Sequence, residues 1–246
     1  MWIILPIKNM DQAKQRLAGE LSPQERRSLF ETMLTDVFET LVQCRRTSGI
    51  VIISREPKAA AFAERYGAEL VEEPLNEGQS MAVQRGVDHV LAKGGRGIVT
   101  IPGDAPALTV FEVDGLIALN GNSEPALTLC PSHDRRGTNC IVATPPDLIR
   151  FHFGHESFGP HLQEAEKIGI TPSIRPLPGL GLDIDTPEDV LKFLELPHTT
   201  RTHRFLTENG IAERLLAKQA RDLGAGVLIC PIARRSKRWR NCRWPT

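Results

Sequence analysis

The sequence predicts an α/β fold, Rossmann-like in layout, in which a mostly parallel sheet carries helices on both faces. Two observations lead there. Short runs rich in β-branched residues alternate along the chain with longer stretches of helical apolar spacing, and strand–helix–strand crossovers produce that alternation. No repeat or low-complexity segment interrupts it before residue 197. One domain over residues 1–196, followed by an extension over 197–246, is therefore expected of the 246-residue chain, which is long enough to bury an adequate core.

Residues 2–7 (WIILPI) are the first strand candidate. Ser22-Pro23-Gln24-Glu25 combines a capping serine, a proline at the first helical position and a glutamate three residues after the cap. This capping box opens a helix to about Gln43, with Leu29, Met33, Leu34, Val37 and Leu41 as its apolar stripe. GIVIIS, from Gly49 to Ser54, reads as the second strand, Pro57 to Tyr66 as a helix closed by Gly67, and AELVEE as a short third strand. The loop EPLNEGQS then feeds a helix with Met81, Val83, Val87 and Val90, and GIVTIP, Gly97 to Pro102, is the most strand-like run of all. Pro125 to Cys130 and Cys140 to Ala143 are further strands around the polar turn DRRGTN. Ser157 to Lys167 and Pro187 to Leu196 read as helices, and Thr199 to Ala220 as one amphipathic helix. The end, ARRSKRWRNCRW, has no partner pattern, which favours a disordered basic tail over a second domain.

Lys+Arg and Asp+Glu both number 30, so no global field draws nucleic acid or an anionic membrane, and any electrostatic function is local. Five widely spaced cysteines without a C-x-x-C pair argue against a disulfide framework or a zinc site. IILPI is too short for a signal-peptide core, and no run approaches the roughly 18 apolar residues of a membrane span. A cytoplasmic protein is the expectation.

Asp104 stands just past the carboxyl end of the GIVTIP strand, where ligands of open parallel sheets collect. There it could hold Mg²⁺ or simply cap the turn before Pro106. In LDIDTPEDV, Asp183 and Asp185 are two residues apart and would point the same way in extended chain, ready to share a cation. Asp185 or Thr186 could equally cap the helix that Pro187 opens, which would leave Asp183 free. DRRGTN and FGHESFGPH offer Gly137, Thr138 and Ser157 as anion contacts, or as two well-capped turns. Lys8, Lys14 and Arg16 follow the first strand directly; they are an anion-binding set or a solvated basic loop. His152, His155 and His161 lack a metal-ligand spacing, and the chain has no G-x-S-x-G, P-loop or G-x-G-x-x-G motif. Those absences count against a serine hydrolase, a P-loop NTPase and a dinucleotide-dependent dehydrogenase.

Taken in order, LPIK…AKQRL, NEGQSMAVQRG, IPGDAP, DRRGTN, FGHESFGPHL and LDIDTPEDV resemble the 2-phospho-L-lactate guanylyltransferase family of coenzyme F-420 biosynthesis, whose fold is that of the MobA-like nucleotidyltransferases. The resemblance spans residues 1 to about 196. It implies condensation of GTP with a phosphorylated three-carbon acid (2-phospho-L-lactate, phosphoenolpyruvate or 3-phospho-D-glycerate) and release of pyrophosphate. It also implies that Asp104, Asp183 and Asp185 hold Mg²⁺, and that Thr138, Gly154 and Ser157 bind the acid, with Phe158 and His161 beside them. Asn76 and Gly78 would approach the guanine, while Lys8, Lys14 and Arg16 would neutralise the triphosphate, Lys14 with a catalytic part beside Asp104. Where many MobA-like enzymes have a glycine-rich loop, this chain has PIKNMDQAKQRL, so side-chain cations would replace part of an amide cradle. A nucleotidyltransferase for the molybdenum cofactor or a sugar phosphate would need the same aspartates but not GTN and FGHES. An inactive nucleotide-binding module would not need all three aspartates, and a nucleic-acid role would rest on the tail alone. Enzymes of this fold often pair, which favours a homodimer.

Overall fold

The computed structural model describes residues 1–75, 77–120, 124–197 and 199–222. Asn76 and the basic segment 223–246 lie outside the described residues. The elements run β1 (Trp2–Ile7), α1 (Pro23–Leu41), β2 (Gly49–Ser54), α2 (Ala59–Tyr66), β3 (Glu69–Glu72), α3 (Gln79–Ala92), β4 (Ile98–Thr100) and α4 (Val110–Asn120). They continue with β5 (Ala126–Pro131), β6 (Thr138–Thr144), α5 (Phe158–Lys167), β7 (Ser173–Ile174), α6 (Pro187–Glu195), α7 (Arg201–Glu208) and α8 (Ile211–Asp222).

One sheet of seven strands has the order β3-β2-β1-β4-β6-β5-β7. Every neighbouring pair is parallel except those involving β6, which runs against both β4 and β5. The reason is the connection: residues 132–137 are too few for a crossover, so β5 and β6 form a hairpin. The α/β, mostly parallel layout expected from the sequence is thus the one observed, with a single reversed strand. That reversal places the start of β6, at Thr138, on the sheet edge where the parallel strands end.

Strand periodicity divides the core in two. Ile3, Leu5 and Ile7 of β1 and Ile50 and Ile52 of β2 pack on one face with α1, α2, α4, α6, α7 and α8. Ile4 of β1 and Val51 and Ile53 of β2 face the other way, against Val83, Val87 and Val90 of α3 and Ala165 of α5. Gly86 permits this second layer, because a Cβ there would lie 2.6 Å from the Ile4 side chain. Met81, expected on the buried stripe of α3, is 43% exposed; Ala82 and Gly86 complete the stripe in its place.

Local signals explain most boundaries. In α1 the Glu25 amide donates to Ser22 Oγ at 3.2 Å and the Ser22 amide to Glu25 Oε2 at 2.8 Å, the reciprocal capping box. Gly67 closes α2 at φ 64°, a conformation that costs glycine little. Helix α4, absent from the sequence reading, is apolar on nearly all sides, so it lacks the amphipathic period that would betray it; Phe111 is left 87% exposed. Strand β7 has two residues, too short for any pattern.

Thr199 to Ala220, read as one helix, is two. Gly210 at φ 67° turns the chain between them. Leu206, Ile211 and Leu215 join the same apolar cluster as Leu29 and Phe193. One buried carboxylate fastens the pair: Asp36 of α1 accepts from the Arg201 amide at 3.0 Å, from the Thr202 amide at 2.8 Å and from Thr202 Oγ1 at 2.7 Å. Removing it strands buried donors, so Asp36→Ala should lower stability by about 2–3 kcal/mol and the melting temperature by roughly 5–10 °C. Thermal unfolding checks this, and proteolysis between residues 197 and 201 should quicken in the variant.

Candidate active site

Past Ile7 the chain does not enter a helix but makes two short 3-10 turns, Met10–Gln12 and Gln15–Leu17. Buried Met10 and Leu17 anchor them in the core, and the Met10 amide donates to Glu56 Oε2 at 2.9 Å. Between the turns Lys14 adopts φ 57°, ψ 39°, a left-handed conformation that a β-carbon makes unfavourable. The outcome is a lysine directed inward, its side chain only 3% exposed. Its Nζ donates to Asp104 Oδ2 at 2.5 Å and to Asp185 Oδ1 at 2.7 Å.

The two aspartates arrive from distant parts of the chain. Asp104 follows β4, and its carbonyl accepts from the Ile184 amide at 3.0 Å, which ties its loop to the LDID segment. Asp185 is released from capping because Thr186 does that work: Thr186 Oγ1 accepts from the Asp189 amide at 3.2 Å, and the Thr186 amide donates to Asp189 Oδ2 at 2.8 Å. Asp183 accepts from Asn139 Nδ2 at 3.0 Å. Asn139, unnoticed beside Thr138 in GTN, is therefore part of the site.

Burial and proximity set the charges here. Asp183 is pushed up to about 6, first by burial and then by Asp104, with the Asn139 bond offsetting part of the rise. Burial also works against ionisation of Asp185, but Lys14, Arg16 and Lys8 outweigh it and hold that carboxyl below the usual range. Lys14 shows the mirror image: burial opposes its charge, and Asp104 and Asp185 keep it firmly protonated. Arg16 Nη1 is 3.9 Å from Asp185 Oδ2. Among the described residues no group of three or more His, Cys, Asp or Glu side chains converges as a ready metal cage.

These groups form the floor of a cleft of about 710 Å³. Lys8, Arg16 and Lys192 stand around it, and Thr138 and Gly154 line the opposite wall. Gly78 begins α3 at φ 92° and borders a smaller hollow next door.

Ser157 lies behind the wall, not on it. The expected capping role is not observed, since its side chain makes no cap bond to α5. Instead its buried hydroxyl accepts from the Thr138 amide at 2.8 Å, and the first amide of α5 is spent on Arg136 O at 3.0 Å. Thr138 has a second partner: His161 Nδ1 lies 2.9 Å from Thr138 Oγ1, while the His152 amide donates to His161 Nε2 at 2.9 Å. A backbone N–H can only donate, so Nε2 carries no proton and Nδ1–H must donate to Thr138. The Thr138 hydroxyl is left with its own proton to offer the cleft. Burial, with His152 adding to it, pushes His161 down to about 4, so this polarity holds across neutral pH.

Two outcomes follow from this geometry. Lys14→Met leaves Asp104 and Asp185 without their shared cation and should cost about 2–4 kcal/mol, toward the low end for a broken buried pair because water reaches Asp185 at 40% exposure. Lys14→Met/Asp104→Asn should recover part of that loss in denaturant titrations. The second concerns pH. His161 is harder to protonate folded than unfolded, so its contribution is complete above its unfolded value near 6.5 and is lost as pH falls toward about 4. Wild type should lose up to about 3 kcal/mol from this group across that window. His161→Gln lacks that dependence, so unfolding curves of the two proteins should converge in stability as pH falls.

Known proteins resemble the chain on three levels. Residues 1–222 match the family described as guanylyl transferase, CofC like. A phosphoenolpyruvate guanylyltransferase of Conexibacter woesei is 33% identical over 193 residues, 78% of this chain and 86% of that one. A 2-phospho-L-lactate guanylyltransferase of Methanothermobacter thermautotrophicus is 29% identical over 203 residues, covering 82% and 88%. Among solved structures, a putative nucleotide-diphospho-sugar transferase of Desulfovibrio desulfuricans shares the fold at TM-score 0.70 and 14% identity, over 88% of this chain and 96% of that one.

Proposed function

The chain belongs to the CofC-like guanylyl transferase family and is a nucleotidyltransferase, and from that premise we propose that it joins GTP to a phosphorylated three-carbon acid in coenzyme F-420 biosynthesis. The acids are phosphoenolpyruvate, 2-phospho-L-lactate and 3-phospho-D-glycerate. Relatives named for the first two support the class. The observation that carries the reading is the buried Lys14 ammonium between Asp104 and Asp185, at the floor of a cleft with a donor wall opposite.

An oxygen of the acid's phosphate attacks the α-phosphorus of GTP, the bond from that phosphorus to the bridging oxygen of the β-phosphate breaks, and pyrophosphate leaves with the electron pair. No general base is needed, because the attacking phosphate is already ionised near neutral pH. Positioning and charge neutralisation supply most of the catalysis in such transfers. Lys8 and Arg16 line the cleft where they can offset the triphosphate and the departing pyrophosphate. Lys14 sets the separation and charge of Asp104 and Asp185. On the far wall Thr138 donates its hydroxyl to the acid, and Gly154 lets the acid come close to the backbone.

The donor set suits Mg²⁺. Asp104, Asp183 and Asp185 present hard oxygens and outnumber the one buried cation among them; burial first, and then Asp104, pushes Asp183 up to about 6. Mg²⁺ is usually held by one or two carboxylates together with substrate phosphates, so a complete protein cage is not required. When bound, it would neutralise developing charge on the phosphates.

Pyrophosphate release from GTP and Mg²⁺ with each of the three acids tests the proposal; release with none would sink it, and the acid with the highest kcat/KM is the substrate. Thr138→Val should raise KM for that acid about tenfold, the loss of one hydrogen bond to a charged group, while KM for GTP stays put. Asp104→Asn should abolish turnover with the melting temperature within a few degrees of wild type.

A further inference from the structure

Glu73 is a buried acid that the steps above do not use. It follows β3, and its amide donates to Ser54 O at 3.1 Å, so its backbone is pinned to the end of β2. The residue is 8% exposed, yet its Oε1 has no hydrogen-bond partner among the described residues. Buried carboxylate oxygens are rarely left unmet in a native fold without a ligand or solvent to complete them. Among the described residues it makes no ion pair either. Burial pushes its carboxyl above the usual glutamate range, against the pull of Arg85, Arg55 and Lys8.

Glu73 lines the small hollow with Ile53, Gly78 and Ala82, and the hollow shares Pro6, Lys8 and Gln79 with the main cleft. Its position decides what can reach it. The acid wall, with Thr138, belongs to β6 on one side of β1, and the hollow lies between the ends of β1 and β2, Glu73 just past β3 and the start of α3 on the other. A triphosphate held near Lys14 with the acid against Thr138 has its base directed toward β2 and β3. The hollow holds only about 10 Å³, so it takes the edge of a base while the ring lies in the cleft.

Resting on the guanylyl-transfer reading, we propose that Glu73 selects guanine, its two carboxylate oxygens accepting from N1–H and N2–H₂ of the base. An ionised carboxylate is an acceptor only. Guanine alone among the common bases presents two adjacent donors on that edge. Adenine at N1 and cytosine at N3 would set acceptor against acceptor, and a site whose buried polar group is left unpaired by the wrong substrate discriminates strongly. Inosine keeps N1–H but lacks the amino group, which makes it the sharpest probe.

Calorimetric titration of the full chain with GTP, ITP and ATP in the presence of Mg²⁺ tests the assignment, on wild type, Glu73→Gln and Glu73→Ala. Wild type should bind GTP at least about tenfold more tightly than ITP, the worth of one charge-assisted hydrogen bond. In both variants GTP should weaken by about tenfold or more and the GTP-to-ITP ratio should fall toward one, with circular dichroism unchanged. An unchanged ratio in a folded variant overturns the proposal. So does a wild-type ratio near one, whatever the variants do. Selective, Glu73-dependent GTP binding without pyrophosphate release from any acid would uphold Glu73 and overturn the transfer reaction instead.

Discussion

The bridge from Lys14 to Asp104 and Asp185 is the interaction on which the rest of the site depends. It joins the loop after β1, the loop after β4 and the segment that leads into α6, which are separated by 90 and 171 residues along the chain. A lysine placed there must be desolvated, and two carboxylates make its charge tolerable; they in turn would repel each other without it. Each of the three loops is therefore held by the other two. The backbone contributes as well, since Lys14 keeps a left-handed conformation that only a strong side-chain commitment would sustain.

A chain with no net charge thus concentrates its electrostatics in one place. Carboxylates lie at the floor and cations around the mouth, an arrangement in which an anionic ligand meets favourable potential on approach and a cation-demanding surface on arrival. Asp183 shows how finely this is poised. Burial and the neighbouring Asp104 raise its affinity for a proton, and the hydrogen bond from Asn139 and the charge of Lys14 offset only part of that rise.

Much of the fold was legible because its signals are local. The capping boxes at Ser22 and Thr186, the glycine closing α2 and the β-branched strands act within a few residues. Asp104 was legible from its place past a parallel strand end and Asp183 with Asp185 from their spacing, while the family resemblance alone joined the three. What escaped depends on contacts far apart in sequence. Lys14 is expected to face a triphosphate beside Asp104, but its burial as the bridge between Asp104 and Asp185 becomes visible only when β4 and the LDID segment are folded against it. Ser157 has every mark of a cap, yet its hydroxyl is claimed by the amide of Thr138. His161, expected beside Thr138, makes its contact from behind, with Nδ1 on the Thr138 hydroxyl. The break at Gly210 was missed because an amphipathic pattern continues across it, and Asn76 stands outside the described residues.

The reversed strand carries a consequence for how such an enzyme can change. Everything that forms the donor wall belongs to a run from the β5–β6 hairpin to α5, whereas Lys8, Lys14, Arg16 and Asp104 stand on the loops that follow β1 and β4. Asn139 through Asp183, the pairing of β6 with β4, the Phe153 amide on Ser80 Oγ at 2.8 Å and the packing of Phe151 and Ala165 beside α3 couple the two. The residues that form the wall are supplied by one contiguous run of chain, and those that face the cleft, Thr138 and Gly154, can change without altering the loops that carry Lys14 and Asp104. A lineage could exchange one small acid for another by rewriting those residues while leaving the transfer chemistry untouched.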